Sequence, residues 1–217
     1  YLKAKALNYS YIGFSDHNTR FSNSQDSEII NLLKKRNQFL QKSLQKYKKF
    51  NIPYFFGLEV DILTNGQLAL PKKAVEHLDY IIAAVHSSFN VDTETMTKRV
   101  ISALSQNKVK ILAHPTGRLL NKRDGYHLNW SKIFEVCKQK NIALEINSWP
   151  ERLDLTDSII KDAVSNEIKL IINTDSHSVS HMDNMKYGVS IARRGWAKKS
   201  DIINTYNTKD LINWIRR

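Results

Sequence analysis

A chain of 217 residues with 25% charged and 41% hydrophobic positions, seven Gly and four Pro is composed like one folded domain, which excludes a disordered or collagen-like polymer. Thirty-three Lys and Arg against 21 Asp and Glu leave a formal charge of +12, which attracts polyanions unless the lysines, spread over KKRNQFLQKSLQKYKKF and later helices, simply solvate an outer face. No apolar run reaches a membrane-spanning length and the start YLKAKALNYS lacks signal-peptide order, so a cytoplasmic location is expected, with the single Cys137 a buried, inert thiol.

In chain order, apolar runs short enough for buried strands occur at 11–14 (YIGF), 52–60 (IPYFFGLEV), 80–85 (YIIAAV), 109–113 (VKILA), 142–146 (IALEI) and 169–172 (KLII). Stretches of helical period fill 26–50, 92–106, 129–140, 155–166 and 181–194. Strand and helix alternate, which predicts an α/β fold with a parallel sheet. No Pro/Gly/Ser-rich linker divides the chain, so residues 1–217 read as one domain. Phe55, Phe56, Tyr80 and Trp196 read as core, and Arg193 and Arg194 as cations capping a helix C-terminus.

The residues at and just past the strand ends carry the chemistry. Asp16 and His17 come after the first run, the second holds Glu59 near its end, and His86, His114 and Asn147 come after the next three; NTDSH places Asp175 and His177 after the last. Singly, each reads as a capping or loop residue. Together they differ, because four of the seven histidines fall at strand ends, whereas His77, His127 and His181 lie in helical or loop contexts. Parallel strands converge at their carboxyl ends, so these residues are expected to share one polar site. Imidazoles with carboxylates suit zinc, manganese or iron, and a carboxylate can bridge two ions, which predicts a multinuclear metal site.

FSDHN (14–18), GLEVDIL (57–63), LDYIIAAVHSSF (78–89), ILAHPTGRLL (111–120), ALEINSWPERLDL (143–155), INTDSHS (172–178) and MKYGVSIARRGW (185–196) together resemble the PHP domain, the polymerase and histidinol phosphatase domain. The likeness is greatest to the version at the C-terminus of bacterial and archaeal family X DNA polymerases. It implies a distorted (β/α)7 barrel with up to three metal ions and hydrolysis of phosphate esters, including 3′-5′ exonuclease activity and cleavage at abasic sites. By this similarity Glu59, His86 and His114 hold one ion, Glu59 bridges to a second that Asp175 also binds, and His17 and His177 belong to a third. The His-x-His of the family's first strand has no match, so the chain is expected to be an N-terminally truncated fragment lacking that strand, weakly active or inactive alone.

Clustered cations neutralise a phosphodiester and deliver bound water as hydroxide near neutral pH. Glu59 and Asp175 are therefore expected in the catalytic centre, with Arg118 and Arg152 placed after strand ends where a guanidinium can grip phosphate oxygens or pair with loop acids. Trp149 can stack on a base of single-stranded DNA or pack at a rim. The expected partners are DNA, bound without sequence preference, and an upstream polymerase module. Alternatives are a small-ester phosphatase of the histidinol-phosphatase type, or a structural or DNA-positioning domain that has lost catalysis.

Overall fold

The computed structural model describes residues 1–18 and 25–216. Six strands form one sheet in the order β1 (Ile12–His17), β2 (Tyr54–Asp61), β3 (Tyr80–Ala84), β4 (Val109–Leu112), β5 (Ala143–Asn147) and β6 (Leu170–Asn173), every neighbouring pair parallel. Helices α1 (Leu2–Ala6), α2 (Asp26–Gln45), α3 (Thr93–Leu104), α4 (Trp130–Lys140), α5 (Asp157–Ser165), α6 (Met185–Arg194) and α7 (Thr208–Arg216) complete the order. The sheet curls into a half-barrel, in keeping with a distorted parallel barrel. No described helix is long and apolar enough to cross a membrane.

Side chains alternate between the two faces of each strand, and that alternation builds two cores. Outward residues such as Leu58, Val60, Ile81, Ala83, Leu144, Ile146, Leu170 and Ile172 pack with the helices. Inward residues Tyr80, Ile82, Ile111, Ala143 and Ile171 fill the inside of the curl with Leu211 and Trp214 of α7. Tyr80 fits because Gly13 and Gly57 face it; a Cβ on either would collide with its ring or hydroxyl. Helices α3, α4 and α5 start on side-chain caps: Asp92 accepts from Thr95 N, Asn129 from Lys132 N and Thr156 from Ile159 N.

Several expectations change. The stretch 181–194 opens with a 3-10 turn, Val179–Asn184, before α6 begins. Helix α7 has no counterpart among the stretches of helical period. Trp196 is not core: it is 69% exposed, because it follows the end of α6 at φ 61 and leaves the packed face. Arg194 binds Asp157 on α5 at 2.8 and 3.0 Å rather than only capping its own helix. Phe56 and Tyr80 are buried, Phe55 is half-buried against the inner cluster, and Cys137 is buried, its thiol pushed up to about 12 by desolvation.

Candidate metal centre

The inward register changes from apolar to polar along the strands. Inward positions run Gly13, Ser15, His17 on β1; Gly57, Glu59, Asp61 on β2; Ala143, Glu145, Asn147 on β5. Tyr80, Ile82, Ala84 and then His86 continue the pattern from β3, and Ile171, Asn173 and Asp175 from β6. The ionisable groups therefore gather toward the carboxyl ends. His114 and Asp175 leave their strands at φ 27 and 50, a left-handed conformation that costs non-glycine residues on the order of 1–3 kcal/mol.

Glu59 is the hub. Its Oε1 lies 3.2 Å from His86 Nε2 and 3.1 Å from His114 Nε2, and its Oε2 lies 3.6 Å from His17 Nδ1. The curl also brings β1 to the loop after β6, where His17 Nε2 and His177 Nε2 are 3.4 Å apart. Asp175 Oδ1 is 3.7 Å from His177 Nδ1. Among the described residues, two triads have all their ligand atoms within 4.8 Å of one another: His17, Glu59 and His86, and His17, Asp175 and His177. His17 is thus common to both, and Asp175 falls with the histidines at the sheet's open side. The donor set of imidazoles and carboxylates fits borderline divalent metals. So does the buried His114, whose Nδ1 has no partner among the described residues.

Electrostatics follow the packing. Burial would raise the Glu59 carboxyl, yet hydrogen bonds from His114 and His86 and the nearby imidazoles hold it well below the usual carboxylate range. Burial works against a charged His86, but Asp61 at 2.5 Å from Nδ1 and Glu59 at Nε2 raise it to about 9. Glu145 is pushed up to about 7, first by burial and then by the charges of Asp175 and Glu59. It accepts from His114 N at 2.7 Å and from Asn173 and Asn147 side-chain amides at 2.8 and 3.2 Å, so it fixes the backbone that carries His114.

The two arginines separate. Arg118 donates Nε to the Arg152 carbonyl at 2.9 Å and Nη2 to the Leu153 carbonyl, so its partners are backbone oxygens and not the acids of its loop. Asp154 completes the clamp by accepting from Thr116 N and Gly117 N at 3.0 Å. Arg152 approaches Asp175 Oδ2 at 3.7 Å, and its Nη1 is buried with no partner among the described residues. It lines a cavity of about 380 Å³ with Leu119, Trp149, Asp175 and His177. The Trp149 ring stands edge-on to His181 at 4.5 Å, at the rim of this cavity.

Sequence reasoning passed over Asp61, Glu145, Asn173, Asp154 and His181. Glu59 with Asp61 and Glu145 with Asn147 stand two residues apart on buried strands, a spacing that puts both members on one face. That regularity inside otherwise apolar runs was the available signal. Asp16, by contrast, points outward to Arg36 at 2.6 Å.

A curled parallel sheet gathering imidazoles and carboxylates at its carboxyl ends defines a barrel-like α/β protein with side-chain clusters that could hold metal. The family model described as the PHP domain matches residues 1–149, and the chain belongs to that family. It is 34% identical over 209 residues to "DNA polymerase/3'-5' exonuclease PolX" of Bacillus subtilis, a match covering 96% of this chain and 36% of that protein. It is 31% identical over 139 residues to "Probable phosphatase CA_C0509" of Clostridium acetobutylicum, covering 60% of this chain and 54% of the relative. A 25% identity over 178 residues links it to "Probable phosphatase NT01CX_1282" of Clostridium novyi, covering 78% of this chain and 70% of the relative. The chain therefore spans about a third of the Bacillus protein and about half of the Clostridium acetobutylicum one.

Proposed function

We propose that this chain is a metal-dependent phosphoesterase domain acting on DNA phosphodiesters, as a 3′-5′ exonuclease or end-processing module of a longer polypeptide that also carries a polymerase. The observation that carries the reading is the unpartnered, buried Arg152 Nη1 beside Asp175 and His177, an anion-binding group set against a cation-binding cluster. Glu59, His86, His114 and His17 would hold zinc, manganese or iron on one side, and Asp175 and His177 on the other. Such ions, when bound, neutralise the phosphate and lower the pKa of a bound water. Arg152 grips a phosphate oxygen, Arg118 fixes the backbone that carries Arg152, and Trp149 offers a face to a neighbouring base.

Timed digestion of end-labelled single-stranded DNA, alongside p-nitrophenyl phosphate, tests this with added manganese or zinc. Shortening of the DNA in single-nucleotide steps supports the reading. Hydrolysis of the small ester with intact DNA supports a second reading, a small-molecule phosphatase, which the names of the two Clostridium relatives favour.

The open edge of the sheet belongs to the same proposal. Among the described residues β1 is paired on one side only, whereas the outer side of β6 carries a bridge from Leu170 to Ile202 and the Asn204 side chain on Ile172; a cavity of about 710 Å³ lined by Ile12, Phe14, Ile171, Trp214 and the site residues lies between the two strands. A seventh strand from outside these 217 residues, bearing the His-x-His that the family likeness implies, would fill it. Extending the chain with such a strand should raise the melting temperature, and an unchanged melting temperature counts against the idea.

A further inference from the structure

Trp196 is the exposed residue that the fold does the least to explain. Its ring is 69% accessible, yet its backbone is closely specified. Ala197 N donates to Ala192 O at 3.0 Å and Trp196 N to Arg193 O at 3.1 Å, the paired bonds of a Schellman closure, with Trp196 at the left-handed position at φ 61. Glycine is the residue suited to that position, and a bulky side chain there is strained. Gly195 sits one place earlier because a Cβ there would collide with Ile160. The turn thus accepts strain and presents an indole to solvent without the burial that would offset it.

The indole's surroundings are cationic. Lys161 Nζ stands 4.8 Å from the ring centroid. Arg193, Lys198 and Lys199 are exposed and, among the described residues, have no ion-pair partner, while the neighbouring Asp157 is already taken by Arg194. Helix α6 runs back from the loop after β6, and Ile202 bridges to Leu170 at the amino end of that strand. The patch therefore lies at the opposite end of the sheet from the metal centre, about 15 Å away along a ten-residue helix.

We infer that Trp196, with Lys161, Arg193, Lys198 and Lys199, forms a second, non-catalytic platform for single-stranded nucleic acid, one base stacking on the indole while the cations pair with flanking phosphates. An open aromatic face accepts any base, and the surplus of unpaired cations favours a polyanion over an apolar protein surface. The inference rests on the DNA reading of the site, which it extends to how the strand is held.

The test uses fluorescence anisotropy of a labelled 12-mer oligothymidylate with the metal chelated, at low salt, for wild type, Trp196→Phe, Trp196→Gly and Arg193→Glu. Trp196→Gly should weaken binding about tenfold, the scale of one lost base stack. It should also leave the melting temperature equal or higher, since glycine relieves the left-handed turn. Trp196→Phe should keep most of the affinity, and Arg193→Glu should weaken binding in a salt-dependent way. All variants should hydrolyse p-nitrophenyl phosphate as wild type does. Equal oligonucleotide affinity in wild type and Trp196→Gly overturns the platform and leaves the DNA reading standing. Oligonucleotide affinity absent from wild type overturns both. A fall in melting temperature in Trp196→Gly with unchanged affinity assigns the indole a packing role instead.

Discussion

Replacing Glu59 by Gln removes the one negative charge shared by three imidazoles while keeping the size of the side chain. His86 is raised to about 9 against 6.5 for an ordinary imidazole, a preference for the imidazolium on the order of 3 kcal/mol net of burial. Two carboxylates share it, Asp61 at 2.5 Å and Glu59 at 3.2 Å. Losing one of them should lower the His86 titration by roughly 1–1.5 pH units. Because the folded value is raised, the stabilisation is fully present below pH 6.5 and is lost as pH rises through about 9. The metal-free variant should therefore lose it at lower pH than wild type does. The assay is an NMR titration of the histidine ring protons in chelator-treated protein, paired with urea denaturation at pH 6 and pH 8.5. A His86 titration that does not move on Glu59→Gln would refute the hub role of Glu59, whatever happens to activity.

Metal uptake should strengthen with pH between about 7 and 9, close to tenfold per unit if the His86 proton is the one expelled; calorimetric titration in two buffers counts that proton, and a pH-independent affinity would contradict it. In the chain extended with a His-x-His strand, Asp175→Asn should abolish turnover yet leave oligonucleotide affinity within about twofold, as it removes a ligand charge remote from the basic surface; full activity would remove Asp175 from the centre. Arg118→Ala should reduce kcat while sparing metal content, since it frees the loop carrying Arg152; elemental analysis and rate measurement together decide this. Gly188→Ala should cost ~2 kcal/mol and lower the melting temperature by about 4–8 °C, because a Cβ there would collide with Ser148 Oγ and Ile172 Cγ2; a stable variant would mean that α6 can move away from β5 and β6.

The half-barrel was legible because its strands are apolar runs separated by helical periods, and the same periodicity placed His17, Glu59, His86, His114, Asp175 and His177 at strand ends. What stayed hidden depends on three-dimensional closeness. Asp61 and Glu145 look like ordinary charged residues until the curl points them inward beside His86 and His114. Arg118 looked free to take a phosphate, but the fold aims it at backbone carbonyls from a loop 34 residues away. Trp196 was misplaced because a period-based reading treats an aromatic after an amphipathic helix as part of its buried face, and the turn at Gly195 reverses that.

His17 stands on the strand with the open edge, and its two ring nitrogens look in different directions, Nδ1 toward Glu59 at 3.6 Å and Nε2 toward His177 at 3.4 Å. A neutral imidazole has one lone pair and one proton. Each tautomer therefore donates its lone pair to one triad and offers an N–H to the other, and serving both at once would take an imidazolate. The choice of tautomer thus allocates a single electron pair between two neighbours, so the order in which the triads fill is written into one ring on the least supported strand of the sheet.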